Sequence, residues 1–336
     1  METINDGSPR QRTVTTMDVQ LRAFVASPEE YQRLAWVHDA AWNTVGLTGE
    51  DYARHDAGRN PHFFVERVVA LVDGAVVAHA QYGENAWNHR PGKYFIAIEV
   101  HPHYQRRGIG TRLYQASADA LAVRHPPPTL IVATTREDQP GGLALLHKEQ
   151  FTQVMRHPMS RINVQRFDAA RFTEVGAKVR AAGITLHSMD ELRERDPAWK
   201  RHWYDLELAI NADHPMADRG APLPFETFAA YLDTPLVRTD SAFFALDRDG
   251  SYVGQSTLNI PNAQSTTATV GMTGVVRSHR RRGIATALKV RTLQFAHATG
   301  IEWIETSNEE HNPMLQLNLR LGFEPAAAWL DFEKRM

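Results

Sequence analysis

One octapeptide occurs twice in this chain. Arg106–Leu113 reads RRGIGTRL and Arg281–Leu288 reads RRGIATAL, identical at six of eight positions and 175 residues apart. That period is about one domain long, so any fold for the chain has to be built twice. The flanks repeat as well. Upstream of the first copy, ERVVALVDGAVVAHAQYG reads as strand, Asp-Gly turn, strand; upstream of the second, SAFFALDRDGSYVGQSTLNI reads the same way. An extended segment follows in each copy, Lys93–Val100 or Thr267–Val276, and then the octapeptide opens a helical pattern. Ile109, Leu113, Ala116 and Ala120 share one helix face, as do Ile284, Leu288 and Phe295. Strands at Thr129–Thr135 and Ile301–Ser307 close the units.

The unit starts match too. VQLRAF precedes a helix with Ser27 as N-cap and Glu30 three residues on, a capping box. GITLHSM precedes helical segments interrupted at Pro197. The expected fold class is therefore α/β (α+β): two tandem units, each a mixed, mostly antiparallel sheet flanked by helices. Residues 1–16 read as a disordered tail, 17–161 as the first unit, 162–183 as a connector whose helix ends at Gly183, and 184–336 as the second unit.

Composition removes several function classes. No cysteine is present, which excludes disulfides, a thiol nucleophile and zinc–thiolate or iron–sulfur sites. The net charge of −2 gives no field for nucleic acid, and the single cluster RSHRRRG largely overlaps the second octapeptide. No apolar run is long enough for a membrane span and the N-terminus lacks a signal-peptide core, so a cytoplasmic protein is expected. Sixteen histidines include no His-Glu-x-x-His, and His101 with His103 is the one tight pair, so no metal is expected. Trp36, Trp42, Trp199 and Trp203 read as packing residues of the early helices.

Glycines where a strand gives way to a helix suit a phosphate. The first N–H groups of a helix have no intrahelical partner and carry the positive end of its dipole. A glycine lets an anion approach them closely. Arg107–Thr111 and Arg282–Thr286 supply such groups. A Walker loop is absent, and Leu113 stands where a dinucleotide fingerprint needs its third glycine.

Gln105-Arg106-Arg107-Gly108-Ile109-Gly110 and Arg280-Arg281-Arg282-Gly283-Ile284-Ala285 both match [Gln/Arg]-x-x-Gly-x-[Gly/Ala]. This resembles the acyl-CoA motif of the GNAT superfamily, the Gcn5-related N-acetyltransferases. The strand ends EVHPHY and GVVRSH and the closing HNPMLQLNLRLGFEP are similar to that family as well. Doubled in one chain, the pattern resembles tandem bacterial GNAT proteins of the mycothiol synthase type, from about Asp18 to the C-terminus.

The resemblance implies acetyl transfer from acetyl-CoA to a primary amine by direct attack, with a small-molecule or peptide amine as partner. It places the pyrophosphate on the motif residues, including Thr111 and Thr286. The pantetheine arm falls along Val100, or along Val275 and Val276, with Asn308 and Asn312 near it. It also implies an acid four residues before the closing glycine. The second copy has Asn318 there, before Gly322; the first has Leu146, with Gln150 in place of the glycine. Asn and Leu cannot donate the proton. Glu99, at the end of the first unit's fourth strand, is the candidate base there. The second copy has Thr273-Gly274 in that region, which leaves Glu207, or Asp205, on an early helix. The better-kept closing segment favours the C-terminal unit as catalyst. The missing acids leave a second class open, a non-catalytic acyl-CoA-binding or sensing protein.

Overall fold

A computed structural model describes residues 18–43, 47–213, 220–234 and 236–336. The expected tail, residues 1–16, lies outside the described residues. The first half runs β1 (Val19–Ala23), α1 (Pro28–Trp42), α2 (Gly49–Ala57), β2 (Val65–Val72), β3 (Ala75–Gly83), β4 (Lys93–Val100), α3 (Ile109–Ala122), β5 (Leu130–Arg136), α4 (Pro140–Lys148) and β6 (Thr152–Asn163). A connector helix α5 (Thr173–Ala181) follows. The second half runs β7 (Thr185–Ser188), α6 (Met189–Arg193), α7 (Trp199–Asn211), α8 (Phe225–Leu232), β8 (Ala242–Leu246), β9 (Tyr252–Asn259), β10 (Thr267–Val275), α9 (Ile284–Ala298), β11 (Trp303–Ser307), α10 (Pro313–Leu321) and β12 (Glu324–Arg335).

The expected elements form for the expected reasons, with one local difference. Ser27 accepts from the Glu30 amide at 3.2 Å, but the Glu30 carboxylate turns outward to the Val25 amide and Arg22. Ser27 is thus a cap without the reciprocal half of a box. Full boxes form at Thr48/Asp51 and Ser188/Glu191.

All twelve strands join one sheet, in the order β1-β2-β3-β4-β5-β12-β6-β11-β10-β9-β8-β7. Among the described residues only β4–β5 and β10–β11 pair in parallel. The middle of the sheet is crossed. β6, which ends the first half, lies against β11 of the second. β12, which ends the second, lies against β5 of the first. β6 and β12 also pair with each other.

The cores follow that exchange. Leu330 and Phe332 of β12 pack with Leu113, Tyr114 and Ile131 of the first half. Ile162 of β6 packs with Ile304, Leu317 and Leu321 of the second. Neither half closes its core without a strand from the other. Phe332→Ala empties a fully buried position and should cost about 3–5 kcal/mol. In urea, followed by far-UV ellipticity and by tryptophan fluorescence, both halves should lose stability in one shared transition. Two transitions, with only one displaced, would contradict the shared core.

Candidate functional site

Both octapeptides form the same loop. Arg106 and Gly108 have φ 61° and 81°; Arg281 and Gly283 have 64° and 82°. Alternating left-handed residues of this kind turn successive N–H groups into one concavity at the start of α3 or α9. The first residue of each motif acts as a strap. Gln105 Nε2 donates to the Val100 carbonyl at 3.0 Å, and Arg280 Nε to the Val275 carbonyl at 2.9 Å. Both hold the preceding strand end against the loop.

Beside each loop the sheet opens. β4 and β5 stop pairing after Phe95 and Val132, and β10 and β11 after Thr269 and Glu305. In the first half the opening leads into a cleft of about 380 Å³. It is lined by Ile98, Glu99 and Val100 of β4, by Gln105, Arg106 and Gly108–Thr111, and by Thr135 of β5. Trp42, Tyr104, Gln139, Leu145 and Lys148 complete its wall. The structure thus brings most of the first-half candidates together at one cavity. The dimensions and donors fit an extended ligand with a phosphate at one end.

The second loop is built alike but covered. A Cβ added at Gly108 would meet nothing within 4 Å, whereas one at Gly283 would stand 3.1 Å from Val175 and 3.6 Å from Val179. Both valines belong to α5, which packs across Ile284, Ala287 and Leu288. Asp213 pairs with two arginines beside the second loop, with Oδ2 2.8 Å from Arg277 Nε and 2.6 Å from Arg280 Nη2. The hydrogen bond from Arg277, helped by Arg280, holds that carboxyl well below the usual range. At Gly274 a Cβ would collide with Ile210 of α7. One feature runs the other way: β10 carries a bulge between Val270 and Thr273, while β4 pairs with β3 in unbroken register.

The two candidate carboxylates occupy matching places in opposite chemical settings. Glu99 and His79 face each other across β3 and β4 as Gln255 and Gly274 do across β9 and β10. Glu99 accepts from Trp42 Nε1 at 2.7 Å and contacts His38 Nδ1 at 2.9 Å and His79 Nε2 at 3.2 Å. Burial opposes its charge, but the hydrogen bond with His38 and the nearness of His79 outweigh this and hold it well below the carboxylate range. His38 is also opposed by burial, and Glu99 raises it above the ordinary value. In the second half the carboxyl comes from the helix instead. Glu207 is raised by burial, its main partners being the neutral side chains Gln255 and Asn211. Gln255 Oε1 is buried without a partner. The first half therefore stores an anion, and the second favours a neutral acid. Asp205 is exposed and paired with Arg201.

The asparagines are engaged locally. Asn312 caps α10, accepting from the Met314 amide at 3.0 Å. Asn308 accepts from Asn318 Nδ2 at 2.7 Å, and Asn318 is fully buried with its Oδ1 unpartnered. Gln150 takes the closing glycine's left-handed conformation at φ 62°, and Leu146 is buried in the first core. Sequence reasoning missed His38, Trp42, His79 and Tyr104. The first two stand at i, i+4 on α1, a signal that they share a face; His79 comes opposite Glu99 only through the β3–β4 register.

The Glu99–His38 contact has a pH signature. Glu99's share of stability is present above 4.5 and is lost as pH falls through its lowered folded value. His38's share is present below 6.5 and is lost as pH rises through its raised folded value. The Tm advantage of the wild type over Glu99→Gln should peak between 4.5 and 6.5 and shrink on both sides. A pH-independent difference would contradict the pairing.

A sequence model of the acetyltransferase (GNAT) family matches residues 26–150 and again 191–323. Solved structures share the architecture over nearly the whole chain. A GCN5-related N-acetyltransferase from Sphaerobacter thermophilus aligns at TM-score 0.71 and 20% identity, covering 94% of this chain and 95% of that one. A tandem GNAT protein from the clavulanic acid biosynthesis pathway aligns at TM-score 0.70 and 20% identity, covering 95% and 98%. No curated protein matches the sequence. No helix among the described residues is long and apolar enough to cross a membrane.

Proposed function

The chain belongs to the acetyltransferase (GNAT) family, and on that premise we propose that it is an acetyl-CoA-dependent N-acetyltransferase whose working site is the N-terminal cleft. The observation that carries the choice of half is the pair of glycines: Gly108 faces open space, and Gly283 faces Val175 and Val179. The expectation from the closing segment alone favoured the C-terminal half. The cover by α5 and the occupation of Arg277 and Arg280 by Asp213 weigh against it.

Arg107–Thr111 would hold the pyrophosphate on their N–H groups, with Lys148 at the cleft wall adding a cation. Val100 would run beside the pantetheine arm. When bound, acetyl-CoA supplies the acetyl group as a thioester. The chain's own task is to position an amine and manage its proton. Glu99 is an anion facing the cleft, so it attracts an ammonium. The proton passes to the Glu99–His38 pair, which titrates as a unit. Tyr104 at the cleft wall carries the hydroxyl that would protonate the leaving CoA thiolate, in place of the missing acid at Leu146. Glu207, whose burial disfavours its charge, has a structural part in the second half. The acceptor is a primary amine on a small molecule or peptide, met in a soluble compartment.

Gly108→Ala and Gly283→Ala carry the same left-handed strain, and Gly283→Ala adds a tight contact with Val175, so an affinity loss confined to Gly108→Ala reports the ligand. Acetyl-CoA affinity should fall at least about tenfold for Gly108→Ala and stay within about twofold for Gly283→Ala. With an amine panel and a free-thiol readout, Glu99→Gln should lower kcat by about a hundredfold. The opposite ranking of the glycine variants would move the site to the second half. Tight binding without thiol release on any amine would favour the binding or sensing protein.

A further inference from the structure

The wall of the N-terminal cleft is anchored by a residue from the far end of the chain. The Trp42 and Trp329 rings lie 4.8 Å apart between centroids, tilted by 52°. Trp42 lines the cleft and donates its indole N–H to Glu99 at 2.7 Å. Trp329 belongs to β12, the strand that the second half gives to the first, and it pairs there with Arg136 of β5.

Several features aim it. β12 carries a bulge between Ala326 and Trp329, and a bulge re-aims the side chains that follow it. Glu137 fixes the bulge from both sides: its amide donates to the Ala328 carbonyl and its carboxylate accepts from the Ala328 amide, each at 2.9 Å. The same turn holds the end of α1. Arg136 donates to the Trp42 carbonyl at 3.3 Å and Gln139 to the Ala41 carbonyl at 3.2 Å. A single turn after β5 therefore clamps both tryptophan-bearing segments against one another.

We infer that Trp329 is a positioning residue for the N-terminal site: its indole holds Trp42 in the orientation that keeps Glu99 hydrogen-bonded, so the C-terminal strand tunes the acceptor end of the other half's cleft. This deepens the reading of the N-terminal cleft as the acyltransfer site and rests on it for its kinetic consequence. The Trp42 indole beside a carboxylate at the cleft also fits an amine borne on an apolar or planar body better than one on a polyanion. The charged and titratable groups around Glu99 are His38 and Asp39 on α1, Tyr52 on α2 and His79 on β3. None of them is altered by a change at Trp329.

The test compares the full-length wild type with Trp329→Ala, Trp329→Leu and Trp329→Phe. The first readout needs no turnover: the Trp42 indole N–H resonance, assigned with Trp42→Phe and followed across the acid range. Loss of a ring 4.8 Å away moves the resonance by itself, so the readout is its acid titration, which should shift to higher pH in Trp329→Ala because Glu99 loses a donor; Trp329→Phe should restore it. Trp329→Leu keeps an apolar strand residue and covers the case in which the alanine variant folds poorly. The second readout is kinetic. kcat on an apolar amine should fall about tenfold while the KM for acetyl-CoA is unchanged, and the acid limb of the rate profile should move upward. An unshifted acid titration of the Trp42 resonance in both Trp329→Ala and Trp329→Leu would overturn the inference, as would a lowered Tm with an unchanged rate profile. A shifted titration in a protein that transfers no acetyl group would instead sink the reading of the cleft and leave the positioning role standing.

Discussion

The pairing of β6 with β12 is the constraint on which the rest of the molecule depends. Each strand ends one half and completes the sheet of the other. A tandem chain with self-contained halves could lose or remodel one without the other. Here the apolar side chains of each closing strand fill the opposite core, so the two halves fold as a joint object. The same exchange carries Trp329 to the N-terminal cleft and Ile162 to the base of α10.

Within that shared scaffold the halves have diverged where a ligand would lie. Both loops keep the left-handed geometry and the strap to the preceding strand, because both serve the backbone whether or not anything binds. What differs is cover and charge. α5 lies on the second loop and Asp213 on Arg277 and Arg280, and a helix against the N-terminus of α9 with a carboxylate nearby is poorly suited to a pyrophosphate. The carboxylates diverge in parallel: one is made anionic by imidazoles, the other pushed toward neutrality by burial among amides. One half suits chemistry on an ammonium; the other suits structural support.

Much of this was legible in the sequence, because the informative features are local. The doubled octapeptide, the Asp-Gly hairpins and the helix starts depend on neighbours within a few residues, and their elements formed where expected. The strand exchange was not legible. The closing strands expected were Thr129–Thr135 and Ile301–Ser307; β6 and β12 come after them in each half, and nothing in a strand's own pattern says which sheet edge it will join. Nor was the difference between the two glycines, since Gly108 and Gly283 sit in nearly identical words and only the distant α5 tells them apart. Glu99 could be picked out by its place on β4, but its setting depends on His38, 61 residues earlier, and Trp42, 57 residues earlier. The capping role of Asn312 followed from the proline after it, whereas the bond between Asn308 and Asn318 did not follow from anything nearby.

The central claim is that the chain has one working acyl-CoA cradle and that it is the N-terminal one. Calorimetric titration of the wild-type protein with acetyl-CoA, paired with amide chemical-shift mapping, tests it most directly. The account predicts one equivalent bound per chain, with the largest shifts at the amides of Arg107–Thr111 and none of comparable size at Arg282–Thr286. Two equivalents, or shifts centred on Gly283, would contradict it.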